Sequence, residues 1–162
     1  MARGINPDTT DLDRFDLAIL KILQFDNKTP QRSIAAEIGL SAPAVQRRIK
    51  RLEENGTILA NVAVIDPSRV KREITIFVEV EMANEQRDMH DNAKKIFSET
   101  PEVQQCYYVT GEVDFILLVV VRTMADYEAL TKRLFFTNNN VKRFRSFVAM
   151  NRVKVSLSLP IA

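Results

Sequence analysis

The sequence predicts an α+β protein in which a small helical part precedes a larger, sheet-containing part. In residues 1–56, three short runs carry apolar side chains at helical spacing. From residue 74 onward, runs with an apolar residue at every second position alternate with helical runs. Their order is strand, helix, strand, strand, helix, strand, which is that of a ferredoxin-like βαββαβ domain.

The composition is that of an ordinary globular protein. The chain has 162 residues, of which 46% are apolar and 27% charged, enough for one medium or two small domains. The longest apolar run, Phe115 to Val121, is far below the roughly 20 residues that span a bilayer, so we expect no membrane contact. Residues 1–73 carry 12 Lys and Arg against 10 Asp and Glu, whereas residues 74–162 carry 11 of each, so the net charge of +2 lies in the N-terminal part.

The three N-terminal runs have helix start and stop signals at their ends. Asp13 is placed to cap the first helix, and Gly39 falls where the second helix would end in a left-handed conformation. Ser41, two residues later, is placed to cap a third helix that ends at Gly56. Two helices joined by a short turn that contains glycine form a helix-turn-helix, so residues 1–56 are predicted to be such a domain, with a flexible N-terminus at 1–10.

The third helix, SAPAVQRRIKRLEENG, has an apolar stripe and a basic face. Val45, Ile49 and Leu52 lie within about 60° of each other on a helical wheel and predict the buried side. A basic face on a lone amphipathic helix is usually a solvated surface. Here the helix is the second of a helix-turn-helix, the element that enters the major groove, and its first turn is small, which favours DNA contact.

We therefore predict two groups of DNA-binding residues on the third helix. Those expected to contact base edges and the groove are Ser41, Ala42, Pro43, Gln46 and Arg47. Those expected to contact phosphates are Lys50, Arg51 and Arg48.

The segments that flank the βαββαβ region are also predicted to contain strands. Residues 57–73 suggest a hinge with a short strand from Ile58 to Ile65, and residues 74–162 form the second domain. The tail around residues 153–159 alternates strictly and predicts an extra terminal strand. Because the run 115–121 is apolar on both faces, we expect helices to cover one face of the sheet and another subunit to cover the other.

The sequence offers little catalytic or metal-binding chemistry, so we do not expect an enzyme. The chain has one histidine, His90, which is expected at the surface, and one cysteine, Cys106, which is expected to be a buried or half-buried apolar residue. The sequence has no cluster of His and Cys at the spacing of a metal site. It also has no glycine-rich loop of the kind that binds the phosphates of a cofactor. A single cysteine and no apolar export signal suggest a cytoplasmic protein.

Four segments resemble the Lrp/AsnC family of feast/famine transcriptional regulators. They are DLDRFDLAILKILQ, IAAEIGLSAPAVQRRIKRLEENGTI, YYVTGEVDFILLV and the closing SLSLP. The resemblance covers roughly residues 11 to 160. It implies a winged-helix-like DNA-binding domain, a strand-containing hinge and an amino-acid-sensing βαββαβ domain. It also implies homodimers formed through the sheet domain, often assembled into tetramers or octamers, and binding to double-stranded DNA.

The resemblance further implies an amino-acid effector bound between dimers near the TGEVD turn. Thr110, Gly111 and Asp114 match the effector-loop positions of the family, and Met124 and Val148 lie in regions that often line the same pocket. Asp114 is expected to accept a hydrogen bond or ion pair from the ammonium group of the effector. The alternative for Asp114 is a carboxylate that closes the turn and contacts no ligand.

Two other functional classes remain open from the sequence. Ferredoxin-like dimers also sense amino acids as regulatory modules of metabolic enzymes, although that reading leaves the basic helix-turn-helix unexplained. RNA binding through the sheet requires exposed aromatic residues on central strands, and the aliphatic run 115–121 disfavours it.

Overall fold

The computed structural model describes residues 12–84, 86–136 and 140–161, so the predicted flexible segment 1–10 lies outside the described residues. The chain divides into two compact units. The first contains the described residues up to 63 together with 155–161, and the second contains residues 64–154. In the tail, Leu159 exchanges hydrogen bonds with the side chain of Gln24.

The first unit contains the three predicted helices, α1 (Arg14–Leu23), α2 (Gln31–Ile38) and α3 (Ala42–Glu54). The carboxylate of Asp13 caps α1 in a reciprocal capping box, and the hydroxyl of Ser41 accepts a hydrogen bond from the backbone N–H of the residue three positions on. Both caps were predicted. The three helices close around a small core of fully or nearly fully buried apolar side chains: Ile19, Ile34, Ala35, Val45 and Leu52.

The predicted strand from Ile58 to Ile65 and the predicted terminal strand are wrong. Residues 57–65 and 150–161 form no strand, and Pro67–Val70 forms a 3₁₀ turn in the predicted hinge. Large apolar side chains in both segments are exposed, with Leu59 at 91% and Met150 at 98%. Alternating apolar residues form a strand only when a second backbone is available to pair with them, and one copy of the chain supplies no such partner here.

The second unit has the predicted βαββαβ order. Its strands are β1 (Ile74–Met82), β2 (Val103–Tyr108), β3 (Phe115–Val121) and β4 (Val141–Val148). Its helices are α4 (Arg87–Glu99) and α5 (Met124–Thr131), and α5 continues into a π-helical segment at Lys132–Phe136. The sheet order is β2-β3-β1-β4, and all three neighbouring pairs are antiparallel.

The core of the second unit lies between one face of the sheet and the two helices. In β3, Phe115 and Leu117 are fully buried in this core, while Ile116 and Leu118 on the opposite face are only half buried. That opposite face also carries Phe77, which pairs with Phe147 across β1 and β4 and is 42% exposed. Helices therefore cover one face as predicted, and the other face is open in a single chain.

Candidate nucleic-acid interface and effector loop

The N-terminal half of α3 exposes a compact set of the predicted groove-contacting residues. The side chains of Ser41, Pro43, Gln46 and Arg47 are all exposed. Ala42 differs, because it is half buried and packs against the core of the three helices. The helix that carries these residues is anchored on its opposite side, where Val45 is fully buried.

Two of the predicted phosphate contacts, Arg48 and Arg51, have an acidic partner inside the unit. Nη1 of Arg48 lies 2.8 Å from Oδ1 of Asp16, and Nη2 of Arg51 donates to Oδ2 of the same carboxylate. Arg48 also contacts Asp13 at 2.7 Å and lies over the ring of Phe15. Both guanidinium groups therefore join α3 to α1.

Asp16 is the site residue that the sequence reasoning missed. Its side chain is fully buried, and it accepts hydrogen bonds from both arginines and from the backbone N–H of Asp13. The sequence does indicate that Asp16 faces the core, because Asp16, Ile19 and Leu23 follow helical spacing on the apolar stripe of α1. A carboxylate on that stripe requires a cationic partner, since an unpaired buried charge is costly.

The electrostatics of this cluster follow from its hydrogen bonds. The bond to Asp16 raises the pKa of the Arg48 guanidinium, which is opposed by desolvation and helped by Asp13. The backbone N–H of Asp16 is the main cause that lowers the pKa of the Asp13 carboxyl, and Arg48 contributes in the same direction. Both pKa shifts favour the charged forms of Arg48 and Asp13 at neutral pH.

The remaining cations of α3 differ in how far they are neutralised. Lys50 lies 3.7 Å from Glu54 one turn later, and both side chains are well exposed, so the pair is weak. Arg47 has no acidic partner among the residues that the structure describes. The outward positive charge of α3 is thus carried mainly by Arg47 and Lys50.

The predicted effector loop, residues 109–114, joins β2 to β3. Thr110 and Gly111 are exposed, and Gly111 has a φ of 136°, a conformation that favours glycine. Asp114 is firmly held: its N–H donates to the carbonyl of Val80, and its Oδ2 accepts from the N–H of Met82 at 2.7 Å. The carboxylate is therefore anchored to β1, while 27% of the side chain stays exposed.

His90 is buried in α4 and not at the surface, so that prediction is wrong. Only 5% of the residue is exposed, and its Nε2 lies 3.1 Å from Oδ1 of Asp114. Its ring contacts those of Tyr108 and Phe115, with centroids 5.5 and 6.0 Å apart. The sequence pattern did not predict the burial of His90, because its hydrogen-bond partner Asp114 lies 24 residues away in the sequence.

The other two predicted effector residues lie far from the loop within one chain. Both are half exposed, Met124 at the start of α5 and Val148 at the end of β4. Val148 pairs with Ile76, six residues along β1 from the Met82 N–H that binds Asp114. Six strand residues span roughly 20 Å. A single chain thus does not bring the five predicted effector residues together.

The described residues offer no other chemistry of the kinds considered. They contain no group of three or more His, Cys, Asp or Glu side chains placed to hold a metal ion. Burial raises the pKa of the half-buried Cys106 thiol. None of the described helices combines the length and the apolar character needed to cross a membrane.

Comparison with known proteins identifies both units. A family model described as the AsnC-type helix-turn-helix domain matches residues 12–53, and one described as the Lrp/AsnC ligand binding domain matches residues 75–159. The chain belongs to the Lrp/AsnC family. This confirms the resemblance and the fold class predicted from the sequence.

Relatives of this Lrp/AsnC regulator extend over nearly its whole length. The HTH-type transcriptional regulator y4tD of Sinorhizobium fredii is 41% identical over 93% of this chain and 89% of its own. The crystal structure of an AsnC family transcriptional regulator from Agrobacterium tumefaciens has 36% identity and a TM-score of 0.85, covering 91% of this chain and 96% of that one. A transcriptional regulator of Neisseria meningitidis in complex with L-methionine has 25% identity and a TM-score of 0.84, covering 92% and 96%.

Proposed function

We propose that this Lrp/AsnC-type transcriptional regulator reads DNA with the N-terminal half of α3. The supporting observation is the exposed set Ser41, Pro43, Gln46 and Arg47, which projects from a helix whose other side is buried. An amide and a guanidinium in the first two turns are the groups that form paired hydrogen bonds with adenine and guanine in the major groove. Gln46 and Arg47 therefore select sequence in this proposal.

The remaining basic residues of α3 divide into two roles. Lys50 contacts a phosphate, because it is exposed and only weakly paired. Arg48 and Arg51 act mainly by orienting α3 on α1 through Asp16, which changes the phosphate role first expected of them. Arg51 keeps 44% of its side chain exposed, so a second, weaker contact with a phosphate is compatible with its position.

The regulator binds DNA as a homodimer formed through the open face of its sheet. That face carries exposed Phe77 and Phe147 beside half-buried Ile116 and Leu118, an apolar surface that a second copy would cover. A dimer presents two recognition helices to half-sites about one helical turn, or a multiple of it, apart. Assembly into tetramers or octamers through further contacts, and action in the cytoplasm, belong to the same proposal.

An amino acid modulates this regulator by binding near residues 109–114. The bound L-methionine in the Neisseria meningitidis relative supports the ligand class. In this chain Thr110 and Gly111 are exposed, and no atom lies within 4 Å of where a Cβ on Gly111 would stand. Because Met124 and Val148 lie at the other end of β1, a pocket that included them would need a second chain.

The DNA-binding proposal is tested by titrating DNA against variants of α3. Binding sites are first selected from random DNA with the wild-type protein. Gln46→Ala and Arg47→Ala are expected to lose about 1–3 kcal/mol on the selected site and to relax its sequence preference. Lys50→Ala is expected to weaken binding to all sequences equally and to lower the salt dependence by about one phosphate contact.

Lys95→Ala serves as the control, because this exposed lysine lies on α4 in the other unit. It is expected to leave affinity and preference unchanged. Unaltered sequence preference in both Gln46→Ala and Arg47→Ala would contradict the assignment of α3 as the element that reads bases.

A further inference from the structure

His90 is a buried ionisable group that DNA binding does not use. It is the only histidine in the chain, and its ring packs against Tyr108 and Phe115. A polar ring that is 95% buried must satisfy both nitrogens, and each has a partner. Its position connects α4 to the loop that precedes β3.

Each ring nitrogen of His90 has one partner within the chain. Nδ1 is 3.2 Å from the backbone carbonyl of Gln86. Nε2 is 3.1 Å from Oδ1 of Asp114, and Oδ2 of that carboxylate accepts a hydrogen bond from the N–H of Met82. Both oxygens of the Asp114 side chain therefore already have a partner.

The other charged side chains near the ring are paired elsewhere. Asp91 and Lys94 of α4 bind each other at 2.9 Å, and the ammonium of Lys94 lies over the ring of Tyr108. Within the described residues, His90 is therefore the one basic side chain in contact with the Asp114 carboxylate. About a quarter of the Asp114 side chain remains exposed to solvent, and a ligand can reach it there.

We propose that Nε2 of His90 occupies, from within the chain, the place at Asp114 that the ammonium group of an amino-acid effector requires. This inference rests on the proposed effector site. Because the oxygens of Asp114 are already engaged within the chain, the effector must compete with His90 and binds with reduced apparent affinity. Binding then weakens the His90–Asp114 contact and frees α4 from residues 109–114.

The effector affinity of a His90 variant distinguishes two roles of His90: competing with the effector for Asp114, and holding Asp114 in position for it. His90→Phe keeps an aromatic ring against Tyr108 and Phe115 but removes both ring nitrogens, and with them the contact with Asp114. If His90 competes with the effector, His90→Phe binds it about tenfold more tightly than the wild type. If His90 only holds Asp114 in position, the same substitution weakens binding, because the carboxylate loses its partner.

The experiment is isothermal titration with each of the twenty L-amino acids, starting with L-methionine, on the full-length wild-type protein and its variants. His90→Gln, which keeps a neutral donor, is expected to fall between the wild type and His90→Phe, and Lys95→Ala is expected to match the wild type. Weaker binding in both His90 variants would overturn this inference alone. Binding of no amino acid to any of these proteins would overturn the proposed effector as well.

A spectroscopic measurement follows the His90–Asp114 contact in the wild-type protein. Because the chain has one histidine, its ring ¹⁵N signals belong to His90. A changed Nε2 signal is expected when an amino acid binds, because the contact with Asp114 weakens. A ring signal that is unchanged at saturation would overturn the proposal even if the His90 variants fail to fold.

Discussion

Asp16 determines the orientation of the recognition helix at the scale of single residues. Its fully buried carboxylate receives the guanidinium groups of Arg48 and Arg51, which lie 32 and 35 residues further along the chain. Two charge-assisted hydrogen bonds from successive turns of α3 fix both the distance and the rotation of that helix relative to α1. The exposed residues that we propose to read bases are therefore oriented by this contact.

Asp16→Asn is expected to lower the free energy of unfolding by about 2 kcal/mol, because two partly buried arginines lose their ionic partner. It is also expected to weaken DNA binding. The change in net charge alone would predict tighter DNA binding, because the variant has one negative charge fewer and DNA is a polyanion. Denaturant unfolding and DNA titration measure the two effects.

Glu37→Gln is the matched control for this substitution. Glu37 is an exposed acid on α2 with no ion pair among the described residues, so its loss removes the same charge without disturbing the helix contact. Its stability and DNA affinity should equal or slightly exceed those of the wild type. Equal DNA affinities in both variants would show that Asp16 does not orient α3.

The turn between α2 and α3 is the deciding feature at the scale of elements. Gly39 ends α2 with a φ of 73° and a ψ of 35°, and its successor, Leu40, donates a backbone hydrogen bond to the carbonyl of Ala35. This left-handed residue reverses the chain within a few residues, so that Ser41 can cap α3. Glycine adopts that conformation without the strain that a Cβ introduces.

Gly39→Ala is expected to destabilise the N-terminal unit by about 1 kcal/mol, because alanine at positive φ is strained even where space is available. Gly39→Asn should recover part of this loss, since asparagine tolerates the left-handed region better than other residues. Thermal unfolding followed by helix circular dichroism compares the three proteins. An alanine variant as stable as the wild type would contradict the argument.

Assembly is the question at the scale of the whole molecule. The open face of the sheet has Phe77 and Phe147 side by side, flanked by ion pairs such as that between Glu79 and Arg145 at 2.7 Å. Apolar side chains bordered by charged pairs are typical of a surface that another protein covers. A second copy is the occupant that the proposed function requires.

Phe77→Glu is expected to convert the proposed dimer to a monomer, because it places a charge where two apolar faces would meet. Light scattering coupled to size-exclusion chromatography measures the mass at several concentrations. Phe25→Glu is the control, since Phe25 is 83% exposed and lies in the other unit, after α1. Dimers that persist in Phe77→Glu, or a monomeric wild type, would contradict dimerisation through this face.

Local patterns determined the elements that depend on neighbours in sequence. The capping by Asp13 and Ser41, the turn at Gly39 and the apolar stripes of the helices each involve residues within a few positions of one another. The βαββαβ order was equally readable, because each strand and helix has its own period. These features sufficed to predict the fold class and the exposed face of α3.

Tertiary structure alone decided the features that join distant residues. The pairing of Arg48 and Arg51 with Asp16 and of His90 with Asp114 joins residues that lie 24 to 35 positions apart, and no local period reports such a contact. The segment 58–65 and the tail failed as strands for the related reason that strand pairing needs a second backbone. The sequence thus determined which surfaces are polar. The tertiary structure decided which charged side chains are paired within the chain and which remain unpaired for contact with DNA or an effector.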